Sequence, residues 1–140
     1  MKSIVNALVF AALLPATSAF AEKWVCTFPV QSVDGWLRGQ VFFTVEGTEA
    51  TVFDSLINQE HGGPIAARIA TNNDKRLTLR WDLRRVELRH GYAPRIRYTL
   101  SYIKATQRAT FTAIAPELQD YRNSSRAGGN FSAGGTCARK

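Results

Sequence analysis

The sequence predicts an all-β protein: a small antiparallel up-and-down β-barrel of about eight strands, with a two-layer β-sandwich as the alternative. Three observations point there. Period-2 runs rich in Val, Phe, Thr, Ile and Tyr recur, while long helical patterns are missing. Turn residues break those runs at short intervals. Two cysteines, Cys26 and Cys137, fall in the first and last runs.

The chain opens with an export signal. Lys2 gives a positive start, "IVNALVFAALL" an apolar core, and Ala19 and Ala21 an A-x-A cleavage site. Residues 1–21 are therefore read as a cleaved signal peptide and 22–140 as one β-barrel-like domain. An uncleaved membrane anchor is the alternative. Trp24 and Val25 precede Cys26, so no small-residue lipobox marks it for lipidation. No later apolar run is long enough for a transmembrane helix, so the mature chain is expected to have no transmembrane segment.

The strands follow in order. "KWVCTFPV" (23–30) puts Trp24, Cys26 and Phe28 on one face, and the Asp-Gly of "VDGW" turns the chain. "LRGQVFFTVE" (37–46) groups Leu37, Val41, Phe43 and Val45. A turn is expected at Gly47. "EATVFDSLIN" (49–58) reads as a third strand of ambiguous facing, "QEHGGP" as a loop, and "IAARIAT" (65–71) as a fourth strand ended by "NND". In "RLTLRWDLRRVEL" the apolar phase runs through Leu77, Leu79, Trp81 and Leu83, then slips to Val86 and Leu88. The returning strand carries Ile96, Tyr98, Leu100 and Tyr102. A bulge at Arg84–Arg85 reconciles the two halves. It sets Val86 opposite Ile96, Leu83 opposite Tyr98, Trp81 opposite Leu100 and Leu79 opposite Tyr102. A turn at Arg84–Arg85 is the alternative. "ATQR" makes the next turn, and "ATFTAIA" (109–115) returns with Phe111 opposite Tyr102 and Ala113 opposite Leu100. A polar connection follows, with one helical turn expected at Glu117–Tyr121. "NFSAGGTC" (130–137) is the last strand, and its glycines suggest a bulge or a close backbone approach.

Hairpins place successive strands side by side, so the first and last would be the far edges of an open sheet. Export delivers both cysteines to an oxidising compartment, where a pair normally oxidises. A Cys26–Cys137 disulfide needs Cα atoms within about 7 Å. The sheet must then curl until its edges meet, which favours closure into a barrel.

Charge is concentrated. The whole chain carries 18 basic and 11 acidic residues. Residues 75–108 hold ten of the basic side chains against only Asp82 and Glu87. In the bulged register Glu87 faces Arg95, Arg84 faces Arg97, Asp82 lies diagonal to Arg97, and Arg80 and Arg85 are close by. Like charges directly opposite each other are destabilising. Arginine's planar fork grips oxyanions bidentately. Arg80, Arg84, Arg95 and Arg97 are therefore the candidate binding residues, for an anionic ligand or an envelope polyanion. The competing reading is a solvated strand face whose charges suppress aggregation.

Searches for catalytic chemistry return little. His61 and His90 stand beside glycines, with no HxH, HExxH or CxxC spacing for a metal. No nucleophile elbow, P-loop or cofactor motif occurs. His90 with Glu87 and Arg89 would suit phosphodiester cleavage, but adjacent strand residues point to opposite faces. Trp24, Trp36, Trp81, Tyr98 and Tyr102 either line an interior ligand cavity or fill a small barrel. The aromatics alternate away from the arginines, which argues against specific nucleic-acid binding.

The "W-V-C" after the signal and the terminal "G-G-T-C" resemble small bacterial secreted proteins with one end-to-end disulfide. That resemblance implies a periplasmic β-domain and brings no activity with it. The architecture is also similar to periplasmic C-type lysozyme inhibitors, small barrels with terminal cysteine pairs. That family's Ser-Gly inhibitory loop is not found here, and a basic domain would repel basic lysozyme. The expectation is a periplasmic or secreted, non-enzymatic binding module with a basic surface. An apolar small-ligand carrier and an enzyme inhibitor are the alternatives.

Overall fold

A computed structural model describes residues 20–29, 36–88, 91–117 and 130–140. The strands are β1 (Glu22–Thr27), β2 (Gln40–Glu46), β3 (Glu49–Phe53), β4 (Ile65–Asn72), β5 (Arg76–Leu88), β6 (Gly91–Ile103), β7 (Arg108–Ile114) and β8 (Asn130–Arg139). A helix, α1 (Ser55–His61), follows β3. Each strand pairs antiparallel with the next, and β8 returns to β1, so the sheet closes into an eight-stranded barrel. The barrel is the expected architecture, and closure leaves no long unpaired edge.

The seam is where the sequence argument put it. Cys26 stands directly opposite Cys137, their Cα atoms 3.9 Å apart, and the two form a disulfide. Both are buried on the inward face. Gly135, two residues before Cys137, makes the close approach expected of the last strand. A methyl at its Cα would fall on the Thr27 carbonyl oxygen and lie 2.6 Å from Phe28 Cδ1. Phe28 occupies the space a side chain there would take.

Period-2 alternation gives the core. Val41, Phe43 and Val45 of β2, Leu77, Leu79, Trp81 and Leu83 of β5, and Ile96, Tyr98, Leu100 and Tyr102 of β6 all face inward and are buried. At mid-barrel Trp81, Tyr98 and Phe111 stack with centroids 5.4–5.7 Å apart. Those three rings fill the interior there. The Tyr98 hydroxyl donates to the Trp36 carbonyl at 2.9 Å. Burial pushes the phenol's pKa up, and the Asp54 carboxylate adds to the shift, so the hydroxyl stays a donor.

Turns follow their residues. Gly47 has φ 61°, a left-handed conformation that glycine adopts at least cost, and lets β2 fold straight back as β3. After β4, the Asn73 side chain accepts from the N–H groups of Lys75 and Arg76. The Asp-Gly turn expected at 33–36 and the helical turn expected at 117–121 fall largely outside the described residues.

Three expectations are corrected. First, 49–58 is not one strand. Asp54 caps a short helix: its Oδ1 accepts from Ile57 N–H at 2.8 Å, and Gly62 closes the other end. Leu56 and Ile57 bury themselves against the barrel, which an extended chain could not do with two adjacent residues.

Second, the β5–β6 register differs, by two residues up to Arg84 and by three from Val86 onward, where Val86 faces Ala93 rather than Ile96. Leu77 faces Tyr102, Leu79 faces Leu100, Trp81 faces Tyr98 and Leu83 faces Ile96. Arg84 faces Arg95 rather than Arg97. Glu87 faces Tyr92 rather than Arg95, and Asp82 stands opposite Arg97 rather than diagonal to it. The physical reason is that both strands change phase at the same place. Inward pairs Leu83–Ile96 and Val86–Ala93 are separated by three residues on each strand. Arg85, with φ 53°, and Pro94, which has no N–H, meet at the step between. A slip in one strand alone would have shifted the register; a slip in both preserves it.

Third, β7 follows β6 in the same corrected frame, with Phe111 opposite Leu100 and Ala113 opposite Tyr98.

Candidate functional site: an arginine wall and its surroundings

The four predicted arginines all lie on the outer face of β5 and β6. Leu79, Trp81 and Leu83 point inward, so Arg80, Asp82 and Arg84 point out. Arg95 and Arg97 are the ladder partners of Arg84 and Asp82 and share that outer face. A fifth arginine, Arg68 of β4, stands directly opposite Arg80. Sequence reasoning missed it because it sits alone in the mild run "IAARIAT". Only the register of a neighbouring strand brings it to the cluster.

The wall therefore has ordered rows. Arg68 and Arg80 face each other, then Asp82 and Arg97, then Arg84 and Arg95. Among the described residues, two carboxylates offset five guanidinium groups. Asp82 Oδ1 lies 3.6 Å from Arg97 Nε, and Glu117 Oε1 lies 3.1 Å from Arg95 Nη2. Among the described residues, Arg68, Arg80 and Arg84 have no carboxylate within ion-pair distance. All three are exposed. Arg85, beside them, lays its guanidinium 5.0 Å from the centre of the Tyr92 ring. Two like-charged pairs on a flat strand surface repel at close range. An anion bridging them would convert repulsion into charge-assisted hydrogen bonds.

The other predicted groups are dispersed. His61 ends α1 and is exposed. His90 and Arg89 lie outside the described residues. Among the described residues no three His, Cys, Asp or Glu side chains gather as a metal site. No helix of the described residues is long and apolar enough to cross a membrane. Of the five aromatics considered as cavity lining, Trp81 and Tyr98 are in the mid-barrel stack, while Trp24 and Tyr102 sit together at one mouth, centroids 5.0 Å apart.

No family model, curated protein or solved structure matches the chain.

Proposed function

We propose that the protein is an exported, non-enzymatic binding module that holds a polyanion against the outer face of β4, β5 and β6. The observation that carries this reading is the pair of like-charged rows, Arg68–Arg80 and Arg84–Arg95, with three of the arginines lacking a carboxylate partner among the described residues. Guanidinium forks suit sulfate, phosphate or carboxylate groups spaced along a chain. The sheet fixes the backbone beneath the arginines, so binding has to order only their side chains. Export is supported by the leader-like start and is consistent with an oxidised Cys26–Cys137 pair, which persists in the periplasm or outside the cell. Cleavage after Ala21 would leave Glu22, the first residue of β1, as the new N-terminus.

Heparin serves as the test polyanion. The wild type should be retained on heparin and released by salt, because binding displaces counterions. Changing Arg80 and Arg84 together to Gln should move elution to markedly lower salt. The double change Lys23→Gln and Lys75→Gln removes equal charge elsewhere and should move it much less. Equal shifts for the two variants would reduce the effect to net charge, and no retention at all would end the proposal.

A further inference from the structure

The mid-barrel is filled, but one mouth is open. A cavity of about 470 Å³ lies there, with Trp24, Leu77 and Tyr102 in its floor and Lys104, Arg139 and Asn72 at its rim. That size falls within the range of about 300–1,000 Å³ for small-molecule sites, and barrel mouths are a common place for them. Its floor is aromatic: Trp24 stacks on Phe43 with centroids 6.1 Å apart and tilts against Tyr102.

The polar rim is built into the register. Arg139 is the ladder partner of Trp24, and Cys137 that of Cys26, so Arg139 continues the inward-facing row of β8 out to the mouth. There its guanidinium lies 5.1 Å from the centre of the Trp24 ring, and 3.5 Å separates its Nη2 from Glu22 Oε1. The second feature is an irregularity in the β4–β5 ladder between Ile69 and Thr71. Beyond it Asn72 pairs with the inward-facing Leu77, so the shift re-aims Asn72 from the outer face to the mouth. Its Oδ1 accepts from Lys104 Nζ at 3.0 Å. Lys104 is thus tethered over the cavity by a neutral amide, with no carboxylate partner among the described residues. Two cations and one carboxylate surround an apolar floor.

We propose that this mouth binds a small amphipathic monoanion. A flat ring body would fill the cavity above Leu77 against the open edge of Trp24, and a carboxylate or sulfonate head would meet Lys104 and Arg139. Apolar burial supplies affinity and the two cations fix the orientation. The site is separate from the arginine wall, and neither reading rests on the other.

Two dyes with the same body test it: 8-anilino-1-naphthalenesulfonate, and the neutral N-phenyl-1-naphthylamine. The disulfide-bonded protein should bind one anionic dye per chain and quench tryptophan fluorescence. Lys104→Gln should weaken the anionic dye about tenfold, the usual effect of losing a charged hydrogen-bond donor, and leave the neutral dye within twofold. Leu77→Trp, which fills the floor, should abolish both. Should Leu77→Trp fail to fold, the Lys104→Gln comparison decides alone. Changing Arg80 and Arg84 to Gln should leave both dyes bound. No anionic-dye binding, several dyes per chain, or equal weakening of the two dyes by Lys104→Gln would overturn the proposal. Loss of the anionic dye in the Arg80/Arg84 variant would place it on the wall and overturn it too.

Discussion

Arg84 stands directly across the β5–β6 ladder from Arg95, and within the described residues the pair has one carboxylate beside it, Glu117 at 3.1 Å from Arg95. Glu117 is half-exposed, so the stability it contributes is small, about 0–1 kcal/mol. Its effect on binding should be larger in proportion, because it competes with any incoming anion. Glu117→Gln should therefore lower the urea midpoint slightly while raising the salt needed for elution from heparin. Added salt should narrow the stability gap by screening the exposed repulsion. An earlier elution for Glu117→Gln would show that the wall is not where the polyanion sits.

The seam should dominate stability. The disulfide spans 111 residues of sequence, for which the chain-entropy model gives about 4–5 kcal/mol, with real bridges often delivering less. Replacing both cysteines by Ser should lower the urea midpoint strongly, and hydrogen exchange should quicken first in β1 and β8. Uniform loss of protection would mean that the seam is not the weak edge.

Close packing at Gly135 gives a sharper local test. Gly135→Ala forces Thr27 or Phe28 to move and should cost about 1–3 kcal/mol, as overpacked sites do. Gly134→Ala meets nothing within 4 Å and should stay within about 0.5 kcal/mol of wild type. Equal effects in equilibrium unfolding would deny that β8 presses on the Thr27–Phe28 backbone.

Much of this was legible in the residues. Alternation exposed the strands because each has one wet and one dry face, and the two terminal cysteines implied closure. Register was less accessible. The phase slip at Arg84–Arg85 was visible, but its partner slip depended on Ala93-Pro94, where a proline without an N–H lets β6 change face in step. The short helix was hidden because seven residues give too few turns for a helical period. Its one signal, an Asp before Ser-Leu-Ile, is a cap motif that also suits a turn. Arg68 and the mouth cavity were invisible for a common reason. Both depend on cross-strand register, which for the cavity joins strands distant in sequence, and the re-aiming of Asn72 depends on a ladder irregularity that composition does not mark.

Asp54 gives a pH signature. Its burial, the largest influence, raises its pKa above the ordinary 3.8, while backbone hydrogen bonds from Ile57 and Leu56 and the charge of Arg38 pull the other way. A carboxyl that binds its proton more tightly when folded contributes its full stability below about 3.8, and that stability is lost as pH rises through the raised value. Asn keeps the cap without the charge. The stability of wild type relative to Asp54→Asn should therefore fall as pH rises from about 3.8, reaching its lowest at neutral pH. Asp54→Ala should cost about 1 kcal/mol through the lost cap. Urea midpoints across pH check the sign, and a relative stability that climbs with pH would contradict it.

The arginine wall is tested most directly by mapping where a polyanion touches. Backbone amide spectra of the isotope-labelled, oxidised protein, titrated with a short heparin oligosaccharide, should shift at Arg68, Arg80, Arg84, Arg95 and Arg97 and return as salt is added. Shifts confined to other faces of the barrel, or spread evenly over every exposed lysine and arginine, would contradict the account.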